Sequence, residues 1–353
     1  MAMSPAEPKP SAARVLFLPD CGPEVGGGHV MRCLALARAL MARGAVCAML
    51  ASAEAAGVLD AFGPEGLERI GLGPTPDGGL VLAAAEAARG WRPDVVLIDH
   101  YGLAEADERR IGPVTSVIDD LADRPHACRL LVDPSLGRTA DAYRGLTPAG
   151  CRVLAGPDYA LLGPAYAEAR AVSLHGRRPA ERPRRLLVSL GLMDLHGVTG
   201  AVMDLIRPRL GDLVTDVVVG SAAPSLPALR ALAEADPRIR LHVDSRDMAG
   251  LIASADIGIG AGGVSTWERA TLGLPSISLI LADNQRPLAA ELDHRGAVLA
   301  MEAWGPGFAT ALPAAFERLL ADAPLRTRLA ETSASLCDGG GAARVAEAVL
   351  ALA

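Results

Sequence analysis

Aromatic residues are scarce in this chain: phenylalanine, tryptophan and tyrosine make up 3% of its 353 residues. A platform for single-stranded nucleic acid needs stacking rings, so that class is disfavoured. Lysine is scarcer still. Lys9 is the sole lysine, which leaves no GK[ST] phosphate motif and no usable Schiff-base amine. The six cysteines, Cys21, Cys33, Cys47, Cys128, Cys151 and Cys337, form no C-x-x-C pair. They read as scattered reduced thiols of a cytoplasmic protein, and without clustered ligands no metal site is expected. No apolar run reaches the ~20 residues of a membrane span, and "VLFL" is too short for a signal-peptide core. The formal net charge of −7 argues against a nucleic-acid partner and gives no basic face for a membrane.

What the chain has in quantity is apolar residues, half of the total, enough for two hydrophobic cores at this length. Residues 1–12 are rich in proline and alanine and are expected to be a disordered tail. From 13 to 172, apolar runs such as "RVLFLPD" (14–20), "VCAML" (46–50), "PDVVLIDHYGL" (93–103), "VTSVIDDLADR" (114–124) and "RLLVDPSLG" (129–137) alternate with helical stretches. Uniformly apolar strands of this kind belong to parallel sheets covered on both faces. Residues 173–185 are polar, basic and proline-bearing, as a linker is. The pattern restarts over 186–335 with "RLLVSLG", "LVTDVVVG", "RIRLHVD", "ADIGIGAGG" and "PSISLIL", and residues 336–353 read as a C-terminal helix, placed to pack back on the first domain. The expectation is an α/β protein of two Rossmann-like, doubly wound domains facing a cleft. Ligands of such sheets bind at the carboxyl ends of the strands.

Two glycine-rich turns stand at such strand ends. In "GGGHVMR" (26–32), Gly27 and Gly28 let backbone approach a ligand, and His29 opens a helix. The positive end of that helix suits an anion and favours a neutral imidazole able to take a proton. The dinucleotide fingerprint is not met, because its last glycine is missing. In "GIGAGGVSTWERATLGLP" (258–275), Gly262, Gly263 and Ser265 form a second loop for phosphate oxygens. Glu268, one turn on, suits a bidentate bond to vicinal ribose hydroxyls; with Arg269 it also fits a solvated helix face. Asp99, Tyr101 and Asp119 follow strands and are candidates to grip sugar hydroxyls or acetamido groups. His100 and His126 are weaker candidates. Asn284 and Gln285 close a further strand end.

Together, G-x-G-H-x-x-R near the N-terminus, "AGGVSTWERATLGLP" and "NQ" in the second half, "LIDHYGL", "VIDDLADRPHACRLLVDP" and "GPDYALLGP" resemble the UDP-2,4-diacetamido-2,4,6-trideoxy-L-altrose hydrolases of pseudaminic acid biosynthesis. The likeness spans most of residues 14–290. More loosely, the chain is similar to the lipid-II N-acetylglucosaminyltransferase and other GT-B enzymes. The resemblance implies a GT-B-like fold and cleavage of the anomeric C–O bond of a UDP-sugar by water, with inversion and without metal or cofactor. It places the catalytic histidine at His29 and the nucleotide loop at Gly262, Gly263, Ser265 and Glu268. Asn284 and Gln285 then lie by the sugar and diphosphate, and Arg32 and Gly191 fall within motifs of the substrate site. Two departures bear on the substrate: Leu192 stands where the family has a second glycine after "SLG", and Gly163 where it has a basic residue. A GT-B transferase using the same donor and a non-catalytic nucleotide-sugar binder are the alternatives. The expected partner is the UDP-sugar alone; a monomer is expected, though no sequence feature fixes the oligomeric state.

Overall fold

The computed structural model describes residues 12–22, 25–73, 79–112, 115–176 and 182–353; all but the last residue of the expected N-terminal tail lies outside them. The first half runs β1 (Arg14–Pro19), α1 (Gly28–Met41), β2 (Val46–Ala51), α2 (Ala53–Phe62), β3 (Glu68–Gly71), α3 (Gly79–Trp91), β4 (Val95–Asp99), α4 (Glu105–Ile111), β5 (Thr115–Ile118), β6 (Leu130–Asp133), β7 (Arg152–Ala155) and α5 (Pro164–Gly176). The second runs β8 (Arg185–Ser189), α6 (Val198–Ile206), β9 (Val214–Val219), α7 (Leu226–Ala235), β10 (Ile239–Val243), α8 (Met248–Ser254), β11 (Ile257–Ala261), α9 (Ser265–Thr271), β12 (Ser276–Ile280), α10 (Arg286–His294), β13 (Leu299–Glu302), α11 (Phe308–Ala321), α12 (Ala323–Leu336) and α13 (Gly341–Leu350).

Each half is one parallel sheet, seven strands in the order β3-β2-β1-β4-β5-β6-β7 and six in the order β10-β9-β8-β11-β12-β13. Both orders reverse direction once, between β1 and β4 and between β8 and β11. At such a switch point neighbouring loops leave toward opposite faces of the sheet and open a crevice. The central strands are buried on both faces; every residue of β4, β11 and β12 is buried. That is why they show as continuous apolar runs in the sequence. β3, β7 and β13 give no such run. Each is a four-residue strand at a sheet edge, where one flank and part of each face meet water.

Two segments cross between the halves. α5 follows the first sheet in sequence yet packs on the second: Tyr166 joins a core with Leu187, Trp267 and Leu272. Arg170 donates to the carbonyls of Cys337 at 3.0 Å and Ala334 at 2.6 Å, and Ser173 Oγ to that of Leu272 at 2.9 Å. Residues 173–176, expected to begin the linker, are therefore the last turn of a docked helix. α13 returns the other way. Its Ala342, Val345, Ala346, Ala348 and Val349 are buried with Val30, Leu34 and Ala37 of α1. No helix among the described residues is long and apolar enough to cross a membrane.

Because Val345 is wholly buried between α13 and the first-domain core, Val345→Ala should cost about 2 kcal/mol through lost burial and a residual cavity. Urea denaturation followed by circular dichroism measures it.

Candidate active site

The carboxyl ends of both sheets face a single cleft of about 880 Å³. The first domain contributes Gly26–Gly28, His29, Arg32, Tyr101, Asp120 and the loop after β6, Pro134–Arg138. The second contributes Ser189–Leu195, Ala261–Ser265, Glu268, Asn284 and Gln285. Gly26 makes the first turn possible. It sits at φ +76°, a conformation L side chains avoid, and its N–H closes back on Gly22 O at 2.8 Å.

His29 and Arg32 are three residues apart in α1 and so share a helical face. That face lies over the end of β4, where Asp99 is wholly buried. His29 Nδ1 is 2.6 Å from Asp99 Oδ1. Arg32 donates through Nε to Oδ2 at 2.6 Å and through Nη2 to Oδ1 at 2.5 Å, the bidentate geometry of a strong pair. Burial alone would raise the Asp99 carboxyl, but Arg32 and then His29 hold it well below the usual carboxylate range. An ionised Asp99 has no proton to give, so His29 donates to it from Nδ1. Arg32 also reaches Asp120 Oδ2 at 2.8 Å. Read from the sequence as a substrate group, Arg32 lines the cleft wall but directs these N–H groups at two carboxylates of its own domain.

Tyr101 stands edge-on to His29, ring centroids 4.6 Å apart. Its hydroxyl donates to Asp120 Oδ1 at 2.9 Å and accepts from Asn284 Nδ2 at 3.0 Å, a bond that crosses the cleft. Burial and the neighbouring Asp120 push the phenol well up, so it stays protonated.

Asp119 is placed differently from the sequence reading. It is wholly buried in the domain and does not line the cleft. Its N–H still bonds Val132 O in the sheet ladder, so its side chain and that of Asp120 leave the strand on opposite sides. Asp120 takes the cleft side. Asp119 Oδ2 instead accepts from Ala122 N–H at 2.8 Å and lies 3.0 Å from the Tyr143 hydroxyl, which also reaches Asp133 at 2.9 Å. His126 bridges this cluster to Glu108 at 2.6 Å. His100 turns from the cleft toward Asp20, 3.6 Å away. The loop Pro134–Arg138, also unforeseen, follows a strand end and was open to the same rule that found the others.

In the second domain, Gly191, Gly262, Gly263, Ser265, Glu268, Asn284 and Gln285 all line the cleft. Gln285 Oε1 accepts from Leu281 N–H at 3.0 Å, which holds its amide beside the glycine loop. Glu268 is half-buried; burial raises its carboxyl and the neighbouring Tyr166 hydroxyl opposes the rise. Leu192 projects across the cleft and packs against the first-domain core. Its Cδ1 lies 4.0 Å from where a Cβ on Gly27 would stand. Gly163 does not line the cleft. Among the described residues, no group of three His, Cys, Asp or Glu side chains is arranged to hold a metal ion.

Solved structures share this two-sheet architecture. The chain superposes on MurG of Acinetobacter baumannii with a TM-score of 0.61 over 96% of this chain and 99% of that one, at 16% identity. The fold is GT-B. Two curated proteins match this GT-B chain in sequence. The spore coat polysaccharide biosynthesis protein SpsG of Bacillus subtilis is 32% identical over 201 residues, 55% of this chain and 57% of that protein. The chain thus spans a little over half of that relative's length. The UDP-2,4-diacetamido-2,4,6-trideoxy-beta-L-altropyranose hydrolase of Campylobacter jejuni is 24% identical over 247 residues, 68% of this chain and 81% of that one. The chain is a distant homologue of both. No family model matches it.

The buried cluster under the site gives a pH signature. Burial opposes the charge on His126, but Asp119 and Glu108 outweigh it and lift the imidazole to about 9. A raised folded-state value means the stabilisation is complete below about 6.5 and is lost as pH rises through 9. Urea midpoints measured from pH 6 to 9.5 should fall across that window, and His126→Gln should flatten the fall.

Proposed function

We propose that this chain hydrolyses a UDP-linked amino sugar at its anomeric C–O bond, releasing UDP and the free sugar with inversion. The observation that carries the reading is the His29–Asp99 pair at one wall of the cleft, facing a glycine loop and Glu268 on the other wall. The distant homology to a UDP-sugar hydrolase supports the substrate class.

In this reading the sugar lies against the first domain, beside Tyr101 and Asp120, and the nucleotide against the second. Water attacks the anomeric carbon on the face opposite UDP. His29 Nε2 takes the water proton as the new C–O bond forms, and the electron pair of the old bond leaves with the diphosphate. Asp99 stabilises the imidazolium that results, as an orienting carboxylate does in a catalytic triad. Glu268 accepts the ribose hydroxyls. The bond from Asn284 to Tyr101 ties the nucleotide wall to the catalytic wall. Leu192 fills the gap above Gly27 with an isobutyl group, which favours a sugar that is apolar on that side, such as a deoxy sugar. The released amino sugar is a fit precursor for a nonulosonic acid of the pseudaminic type.

Incubation with a panel of UDP-amino sugars, followed by proton NMR, tests this directly. Free UDP together with a free sugar of inverted anomeric configuration is expected; transfer to an added acceptor in preference to water would make the protein a transferase, and no UDP from any donor would leave it a binder. His29→Asn should lower turnover by ~10²–10⁴, with UDP affinity nearly unchanged.

Glu268→Ala separates the nucleotide half from the chemistry. Loss of a hydrogen bond to a charged group predicts UDP binding weaker by about 1.5–3 kcal/mol in calorimetry. Unchanged affinity would take Glu268 out of the ribose site.

A further inference from the structure

Arg269 is a guanidinium in an unusual place. It is 3% exposed, directly beneath the second glycine loop. Nη2 donates to Ala261 O at 2.8 Å and lies 3.3 Å from Thr266 Oγ1, and Nη1 donates to Ser265 Oγ at 3.1 Å. Every one of these acceptors is a neutral oxygen. Nε has no partner at all, and no carboxylate forms an ion pair with the group among the described residues. The backbone is shaped to admit it: a Cβ on Gly260 would overlap Nη1. Burial lowers its pKa and the neighbouring Glu268 carboxylate opposes the fall, leaving it at about 10, so it is a cation at neutral pH.

A buried charge without a counter-charge is expensive to keep, and charges in such positions are ordinarily paired. Glu268 precedes it in the chain, and its charge acts on the guanidinium, but the two side chains form no ion pair and Glu268 lines the cleft. On the other side of Ala261–Ser265 the loop opens to the cleft, since all five residues line it. One layer of backbone therefore separates the guanidinium from whatever the loop holds.

We propose that Arg269 is the built-in counter-charge for the diphosphate of the bound nucleotide, acting through the Ala261–Ser265 turn without touching the ligand. The inference rests on the reading that a uridine nucleotide occupies this loop. Arg269 is then a positioning residue with two effects. It orients Ser265 Oγ, and it supplies a positive potential in a region of low polarisability, where a charge acts over a longer distance than in water. A side chain that served only to knit β11 to α9 would matter equally for every ligand of the second domain. A counter-charge matters in proportion to the ligand's phosphate charge.

The test is calorimetric titration of the full chain with UDP, UMP and uridine, in wild type, Arg269→Gln and Arg269→Lys. Arg269→Gln should lower UDP affinity about tenfold and UMP affinity less, while uridine stays within twofold. Arg269→Lys keeps the charge and should retain the wild-type ratio of UDP to uridine affinity within about threefold. An equal loss of UDP and uridine in Arg269→Gln would make the residue purely structural and overturn the proposal. If Arg269→Gln does not fold, Arg269→Lys decides alone: a collapsed ratio in that variant overturns the counter-charge, and a retained one supports it. Wild type that binds uridine but gains nothing from the phosphates sinks the inference while sparing the nucleotide site. Wild type that binds none of the three ligands removes the nucleotide reading and this inference with it.

Discussion

Asp99 is a carboxylate with no access to water, and it stays ionised because Arg32 lies against both its oxygens. Much of the site depends on this pair. Arg32 comes from the second turn of α1 and Asp99 is the last residue of β4, so the contact fixes how the helix leaves the sheet. It leaves one geometry for His29, since the remaining reach of Asp99 Oδ1 is toward Nδ1. It also positions Asp120, which in turn holds the Tyr101 hydroxyl. A helix face three residues wide thus sets a tautomer, a second carboxylate and a phenol. Separating a buried ion pair is strongly destabilising, so these settings are rigid.

The two walls of the cleft are built on different principles. The first-domain wall is a network of charges that satisfy one another: Arg32 with two carboxylates, His29 with one, Tyr101 with another. The second-domain wall is built on glycine loops after β8 and β11, with Glu268 and the Asn284–Gln285 pair added. One positive charge of that wall, Arg269, is kept below the surface. Such a wall accepts a ligand's charge, whereas the opposite wall presents prearranged acids and bases.

The fold was legible in the sequence wherever strands are buried on both faces. β1, β2, β4, β8, β11 and β12 show as apolar runs for that reason. The edge strands β3, β7 and β13 escaped because edges need no such runs. The site was legible where chemistry and position coincide, as at His29, Tyr101 and the Gly262–Glu268 segment, all of which follow central strands. It was not legible where one residue of parity decides. "IDD" names two carboxylates after β5, and only the ladder bond of Asp119 shows which of them turns inward. Nor could a string of letters show that Arg269, beside Glu268 on a short helix, is buried while its neighbour faces the cleft.

The crossing of α5 and α13 carries a consequence for how this molecule can be divided. Each half completes its core with a helix lying beyond the other end of the chain's natural seam. A fragment that stops at the polar stretch after α5 would carry a helix whose partner surface is missing, and would lack the one that covers α1. Neither half is therefore an autonomous folding unit. Insertions, tags or split points are tolerable in surface loops within a half, and least so at the polar segment where composition alone would place the cut.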